Sequence, residues 1–382
     1  MSHVVYKHSL TATQPAITVE AIATALLRLD PSGTVLTSHH PRLIEIAFCS
    51  QNVDLVLPII EKTIAFIPGM KGGFDDSRLL CDRHLPPTSY ITPETGLTSK
   101  LTASDVQQYD MFSALCFMWK RSWEQAFTAL ERIITYPCKD IACSKTMAEA
   151  YNKWVLIGLL LTGKTPPLPP LTYSGPIKAY STSGKPYASI AKAFESSTPD
   201  ALKIEFQNLG AQFWAEENNL GLMGLVLSHY QRWKIVSLQD VYSKVSLQEI
   251  RQLTQSAEIG MGPQSEVQIL ELLVDMIQTG MLKGVIVPAA NGNPAHLEFL
   301  PADEDLSERE FTAKMVEVAL RIKNLDPLVK FSNERLATSN EYVRHLVKQK
   351  AREKDGGLRD AFAGFETQIE DEDLMTGIMA GA

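Results

Sequence analysis

Apolar residues recur along most of this chain at the i, i+3, i+4 interval of an amphipathic helix, then give way near residue 285 to short β-like runs. The run IVSLQDVYSKV places Ile235, Val236, Leu238, Val241, Tyr242 and Val245 on one stripe, which predicts a helix opening a small domain. Ser246 follows at an N-cap position with Glu249 three residues on. Hydroxyl and carboxylate there can each satisfy an orphan backbone N–H, so a short helix LQEIRQLT is expected. IGMGP breaks it. From Gln264 to Leu282, Val267, Leu270, Val274, Ile277 and Met281 predict a third buried face, closed by Gly280. GVIVP and HLEFL then flank ANGNP, where Asn291, Gly292 and Asn293 can supply positive φ for a β-hairpin. Three helices and a two-stranded wing over residues 235–301 describe the winged-helix variant of the helix-turn-helix.

The remaining chain reads as paired helices. In residues 1–68, VEAIATALLRLD, PRLIEIAFCS and DLVLPIIEKTIAFIPG are each helix-length apolar segments ended by turn-forming residues. Residues 69–102 shift to Gly, Pro, Ser and Thr, with Pro86, Pro87 and Pro93, and predict a long loop or insertion. Within 103–234, Asp105 to Trp119 and Trp123 to Tyr136 predict a helical hairpin. Ala114, Phe117 and Ala126 fall at tetratricopeptide-like offsets, where small residues let two helices approach. Further helices are expected at Ser144 to Leu161, stopped by TPPLPPL, and at Ala188 to Phe194, Pro199 to Glu216 and Leu220 to Trp233. The fold class is therefore mainly α: a solenoid of TPR-like helical repeats capped by a winged helix. In residues 302–355, Phe311, Met315, Val318, Ile322 and Leu325 keep the four-three spacing of a heptad seam. Asp326-Pro327 is expected to kink or end that helix, and another should run from Ser339 to Arg352 with Tyr342, Val343, Leu346 and Val347. Residues 356–382 read as a flexible acidic tail.

These residues carry a family resemblance. SKVSLQEIRQL followed by PQSEVQILELLVDMIQTGMLKGVI resembles the winged helix of the PCI family, named for the proteasome lid, the signalosome and an initiation factor. Within it, WEQAFTALERIITYP and AYNKWVLIGLLLTGK are most similar to the third subunit of the COP nine signalosome. The resemblance covers residues 103–345 well and the first hundred poorly. It implies a non-catalytic scaffold supporting cullin deneddylation, with other PCI and metalloprotease-type subunits as partners and cullin-RING ligases reached indirectly. Against the family pattern, the first repeats are expected to be missing, and 69–102 has no recognised counterpart. A proteasome-lid subunit is the alternative within the class, and a nucleic-acid-binding winged-helix regulator the alternative outside it.

Composition narrows these readings. The net charge of −8 is opposite to that of most proteins living on phosphate backbones. No run of about eighteen apolar residues exists, and MSHVVYKHSL lacks a secretory core, so a cytoplasmic and nuclear protein without a membrane span is expected. Cys49, Cys81, Cys116, Cys138 and Cys143 are odd in number and scattered, which suits reduced, buried thiols. Cys138 and Cys143 lack the other two ligands of a structural zinc, so no metal is expected. GLLLTGKT at Gly158 to Thr165 matches the phosphate-loop pattern literally. It lacks the strand before and the helix after, and reads instead as a helix end with Gly163 as C-cap; no cofactor is expected. His39 and His40 precede Pro41 and read as a turn, and no H-E-x-x-H or nucleophile elbow is present. The third helix carries Glu266, Glu271 and Asp275 against Lys283 alone, which opposes DNA binding. Lys348, Lys350, Arg352 and Lys354 read as a solvated helix end, and TPPLPPL as a rigid spacer. The candidate sites are protein interfaces: Val285, Ile286 and Val287 as a sheet edge, and Phe311, Met315, Val318, Ile322 and Leu325 as a helical seam.

Overall fold

The computed structural model describes residues 14–68, 87–137, 143–196, 198–258, 265–289, 294–300, 308–337 and 342–348. Cys81, Cys138, the hairpin tip at 291–293, most of the 69–102 stretch and the tail lie outside them. The chain divides into two compact units, one holding the described residues up to 300 and the other those from 308 on. It is mainly helical, a helical-repeat solenoid ending in a winged-helix module.

Helices α1 (Gln14–Leu29) and α2 (His39–Cys49) pack through Val19, Ala23 and Leu26 against Leu43, Ile44 and Ala47. His39 and His40 open α2 rather than forming a turn, because Pro41 sits in the first helical turn, where its missing N–H costs nothing. The long third helix expected after Asp54 does not form. A 3₁₀ turn (Val53–Leu55) and the single-turn α3 (Leu57–Ile60) give way to extended backbone. There Thr34 C=O accepts from Phe66 N–H at 3.0 Å, and Phe66 C=O accepts from Leu36 N–H at 2.9 Å. The β-branched Thr63 and Ile64 favour that extended path. The described part of the expected insertion, α4 (Pro87–Tyr90) and residues 91–102, is tied to this layer: Tyr90 Oη donates to Leu29 C=O at 2.8 Å and Ile91 is buried.

Helices α5 (Ala103–Trp119) and α6 (Trp123–Ile134) make the expected hairpin, with Ala114, Phe117 and Ala126 all buried in it. Thr102 and Asp105 cap α5 reciprocally. Helix α7 (Lys145–Thr162) lies against α6, and its N-cap Ser144 donates to the buried Gln107 of α5 at 2.8 Å. A helix that sequence did not mark, α8 (Ser174–Ser183), precedes α9 (Lys185–Glu195), and Tyr180 Oη pins it to Ile134 C=O at 3.1 Å. α10 (Pro199–Glu216) bends at Gly210, whose φ of +78° only glycine adopts cheaply.

Helix α11 (Leu220–Leu238) joins the two larger hydrophobic cores. Met223, Val226, Leu227 and Tyr230 belong to the solenoid core, whereas Ile235 enters the smaller core of the winged helix. The separate helix expected from Ile235 is thus the last turn of α11. Beyond it Val241 and Tyr242 are exposed in a turn, and Lys244–Ser246 form strand β1. Then come α12 (Leu247–Leu253), α13 (Glu266–Gln278), β2 (Gly284–Val287) and β3 (His296–Phe299). The sheet has three strands in the order β1-β3-β2, all antiparallel, instead of two. α12 and α13 begin with capping boxes, Ser246/Glu249 and Ser265/Gln268. The buried face of α13 is Ile269, Leu273 and Met276; the stripe expected inside, Val267, Leu270 and Val274, points outward.

In the second unit, α14 (Glu308–Ala337) runs through Asp326-Pro327 without ending. Proline removes only one i→i−4 bond, from the carbonyl of the exposed Lys323, and Asp326 forms an i,i+4 ion pair with Lys330 at 2.7 Å. A further helical stretch covers 342–348.

Candidate protein interaction surfaces

Strand β2 places Val285, Ile286 and Val287 at one edge of the sheet, pairing only with β3. Their partners across the ladder are Glu298, Leu297 and His296. Leu300 N–H donates to Lys283 C=O at 3.2 Å, which fixes the phase of the ladder. Because hydrogen-bonded and non-hydrogen-bonded pairs alternate in an antiparallel ladder, Val285 and Val287 turn their backbone groups toward β3. Ile286 turns its N–H and C=O to the open side. The Ile286 side chain packs on the small core while Val285 is exposed. This edge offers main-chain groups for a further strand.

On α14, Phe311, Met315, Val318, Ile322 and Leu325 share one face and are 42–62% exposed. Because the helix continues past Pro327, the exposed Val329 extends the seam by another step of four. The 342–348 stretch also exposes Tyr342, Val343, Leu346 and Val347. The two sets of candidate residues sit in different units.

The literal phosphate-loop match is a helix C-terminus. Gly163 is the left-handed cap of α7 (φ +68°), and its N–H donates to Leu159 C=O at 3.0 Å. The next helix starts eleven residues later at Ser174, so no helix N-terminus faces Lys164. Cys116 is buried and its thiol is pushed up to about 12 by desolvation, whereas Cys49 is exposed, against the expectation of buried thiols throughout. Among the described residues no group of three or more His, Cys, Asp or Glu is placed to hold a metal, and no helix is long and apolar enough to cross a membrane.

Sequence gave no sign of the polar staple beneath α7. Lys153 is buried, donates to Asn219 Oδ1 at 2.8 Å and pairs with Glu149 at 3.3 Å; Asn219 Nδ2 in turn donates to Tyr187 Oη at 2.6 Å. A buried ammonium with satisfied partners joins α7, α9 and the start of α11. Asp110, buried under Arg132, is raised by desolvation against two charge-assisted bonds of 2.9 and 2.7 Å. Both sets brace helix packing.

Residues 88–175 match the family model described as COP9 signalosome complex subunit 3, N-terminal helical repeats. That match begins inside the 69–102 stretch, so residues 88–102 have a counterpart in the family after all. The chain is 46% identical to the COP9 signalosome complex subunit 3 of Neurospora crassa over 374 residues, covering 96% of this chain and 75% of the relative. Against the protein of the same name from Emericella nidulans, identity is 28%, covering 96% of this chain and 74% of that relative. For Dictyostelium discoideum it is 22%, covering 83% and 66%. The chain thus spans about three quarters of the length of the two fungal relatives, and likeness extends well into the first hundred residues. An identity of 46% over nearly the whole chain, with a matching family model across the helical repeats, places this chain in the COP9 signalosome complex subunit 3 family.

Proposed function

We propose that this chain is a scaffold subunit of a COP9 signalosome, contributing surfaces and no catalytic chemistry. Its partners are other PCI and metalloprotease-type subunits, and it supports cullin deneddylation and control of cullin-RING ligases through them, in cytoplasm and nucleus. The observation that carries this reading is a pair of uncovered docking elements: the open edge at Ile286 and the exposed seam of α14. Main-chain edges and heptad seams bind other polypeptides, not small substrates. The residue domains 1–68, 103–234, 235–301 and 302–355 divide the labour: repeats hold the winged helix, and the last helices enter a bundle shared between subunits.

The test is affinity purification of the tagged full-length chain from native extract with mass spectrometry. Stoichiometric recovery of signalosome subunits is expected; recovery of proteasome-lid subunits, or of chromatin proteins alone, overturns the reading. The purified chain should neither bind ATP in calorimetry nor cleave a modified cullin. Saturable nucleotide binding lost in Lys164→Ala would refute the rejection of the phosphate-loop match, and cleavage of the modified cullin would refute the non-catalytic assignment.

A further inference from the structure

Helix α13 occupies the position that a nucleic-acid-binding winged helix inserts into a groove, yet its outward chemistry is of another kind. Val267 is 63% exposed, Leu270 37% and Val274 39%, while Ile269, Leu273 and Met276 fill the core from the opposite side. The exposed stripe runs i, i+3, i+7, so it spans about 10 Å along the helix axis. No Lys or Arg stands between Ser265 and Gln278. Asp275 is paired with Arg232 of α11 at 2.6 Å, so that neighbouring cation is already neutralised. Glu266 and Glu271 have no ion-pair partner among the described residues. The face is therefore apolar along its centre and acidic at its margin. Such a surface repels phosphate and matches a polypeptide of opposite character.

We propose that the outward face of α13 docks an amphipathic helix of a sister subunit that carries lysines or arginines beside its apolar stripe. The proposal rests on this chain being a complex subunit, and adds a third surface to the sheet edge and the α14 seam. A straight stripe of branched side chains forms a ridge, which seats in the groove of another helix better than against a strand. Basic residues flanking the partner's stripe would meet Glu266 and Glu271 at the rim. Charges at such a rim set register and approach more than total affinity.

The test uses the full chain within the assembled complex. A photo-reactive phenylalanine analogue replaces Val267 or Val274, and irradiation is followed by mass spectrometry. Crosslinks are expected in a helical segment of a sister subunit with Lys or Arg within four residues of the linked position. Leu270→Glu combined with Val274→Glu should reduce crosslinking from Val267 at least about tenfold, and Glu271→Lys about threefold, with the fold kept and the melting temperature lowered by no more than about 5 °C, because these side chains lie outside the small core. A complex that assembles normally but yields crosslinks only within this chain, to nucleic acid, or none from either position overturns the proposal and leaves membership of the complex standing. Loss of assembly in the unsubstituted chain would instead strike at the functional reading itself.

Discussion

His40 is buried, stands edge-on to Tyr109 at 5.9 Å, and accepts the Thr37 N–H on Nδ1 at 3.1 Å. Desolvation lowers its pKa to about 4, from an ordinary 6.5. A folded-state value below the unfolded one means the unfolded chain binds the proton more tightly. The contribution is therefore present above pH 6.5 and is lost as pH falls toward 4. By pH 4.5 the loss amounts to roughly 2–3 kcal/mol. Thermal melts of the wild-type chain should fall steeply between pH 7 and 4.5, and His40→Gln should flatten that slope while lowering stability at pH 7. Gly163 offers a second test. A Cβ there would sit 2.6 Å from the ring of Trp233, whose Nε1 donates to Leu160 C=O at 3.1 Å, and the φ of +68° adds strain. Gly163→Ala should cost roughly 2–4 kcal/mol, seen as a melting point lower by about 5–10 °C.

At the scale of elements, local signals and tertiary decisions separate. The Ser246/Glu249 box was legible because both partners lie within one turn of sequence, and the Ala114, Phe117, Ala126 pattern because two helices meet in register. Helix α13 was legible as a helix but not in orientation: EVQILELLVDMIQ is apolar on two adjoining arcs, and only packing against α12 and the rest of the small core decides that Ile269, Leu273 and Met276 go inside. Strand β1 is three residues long and exists because β3 offers Leu297 opposite Val245, a contact about fifty residues away that no local pattern announces. α8 is rich in Ser and Thr, which hides its period. GVIV was legible as a strand, and the ladder's phase sharpens the test of its open edge. Pro in place of Ile286 removes an N–H from the open side and leaves the bonds to β3 intact, so the fold should survive. One main-chain bond is worth about 0.5–1.5 kcal/mol net, so co-purification with other signalosome subunits should weaken about two- to tenfold. Unchanged assembly would remove this edge from the list of interfaces.

The whole molecule consists of a solenoid and winged helix in one unit and α14 with the 342–348 stretch in the other. The first has two large cores joined through α11, and a small separate cluster of Val35, Phe66 and Ile91. The second has a long helix on which every described side chain is exposed, so its stability must come from elsewhere. Each of Phe311, Met315, Val318, Ile322 and Leu325 is worth roughly 1.5–3 kcal/mol when fully buried, which is reason enough for the stripe to be covered in the working protein. Four-three spacing is the period of helices that bundle with helices, and an uninterrupted path through Pro327 lengthens the seam instead of redirecting the chain. A chain ending at Asp305 should therefore melt within about 2 °C of the full chain, since it keeps both cores, and should fail to enter the complex. Substituting Val318→Glu together with Ile322→Glu in the full chain should reproduce the second effect without the truncation, because a charge at either position of a seam is buried unpaired once the bundle closes. A large fall in melting temperature with incorporation retained would show that the seam serves this chain's own fold and not its partners.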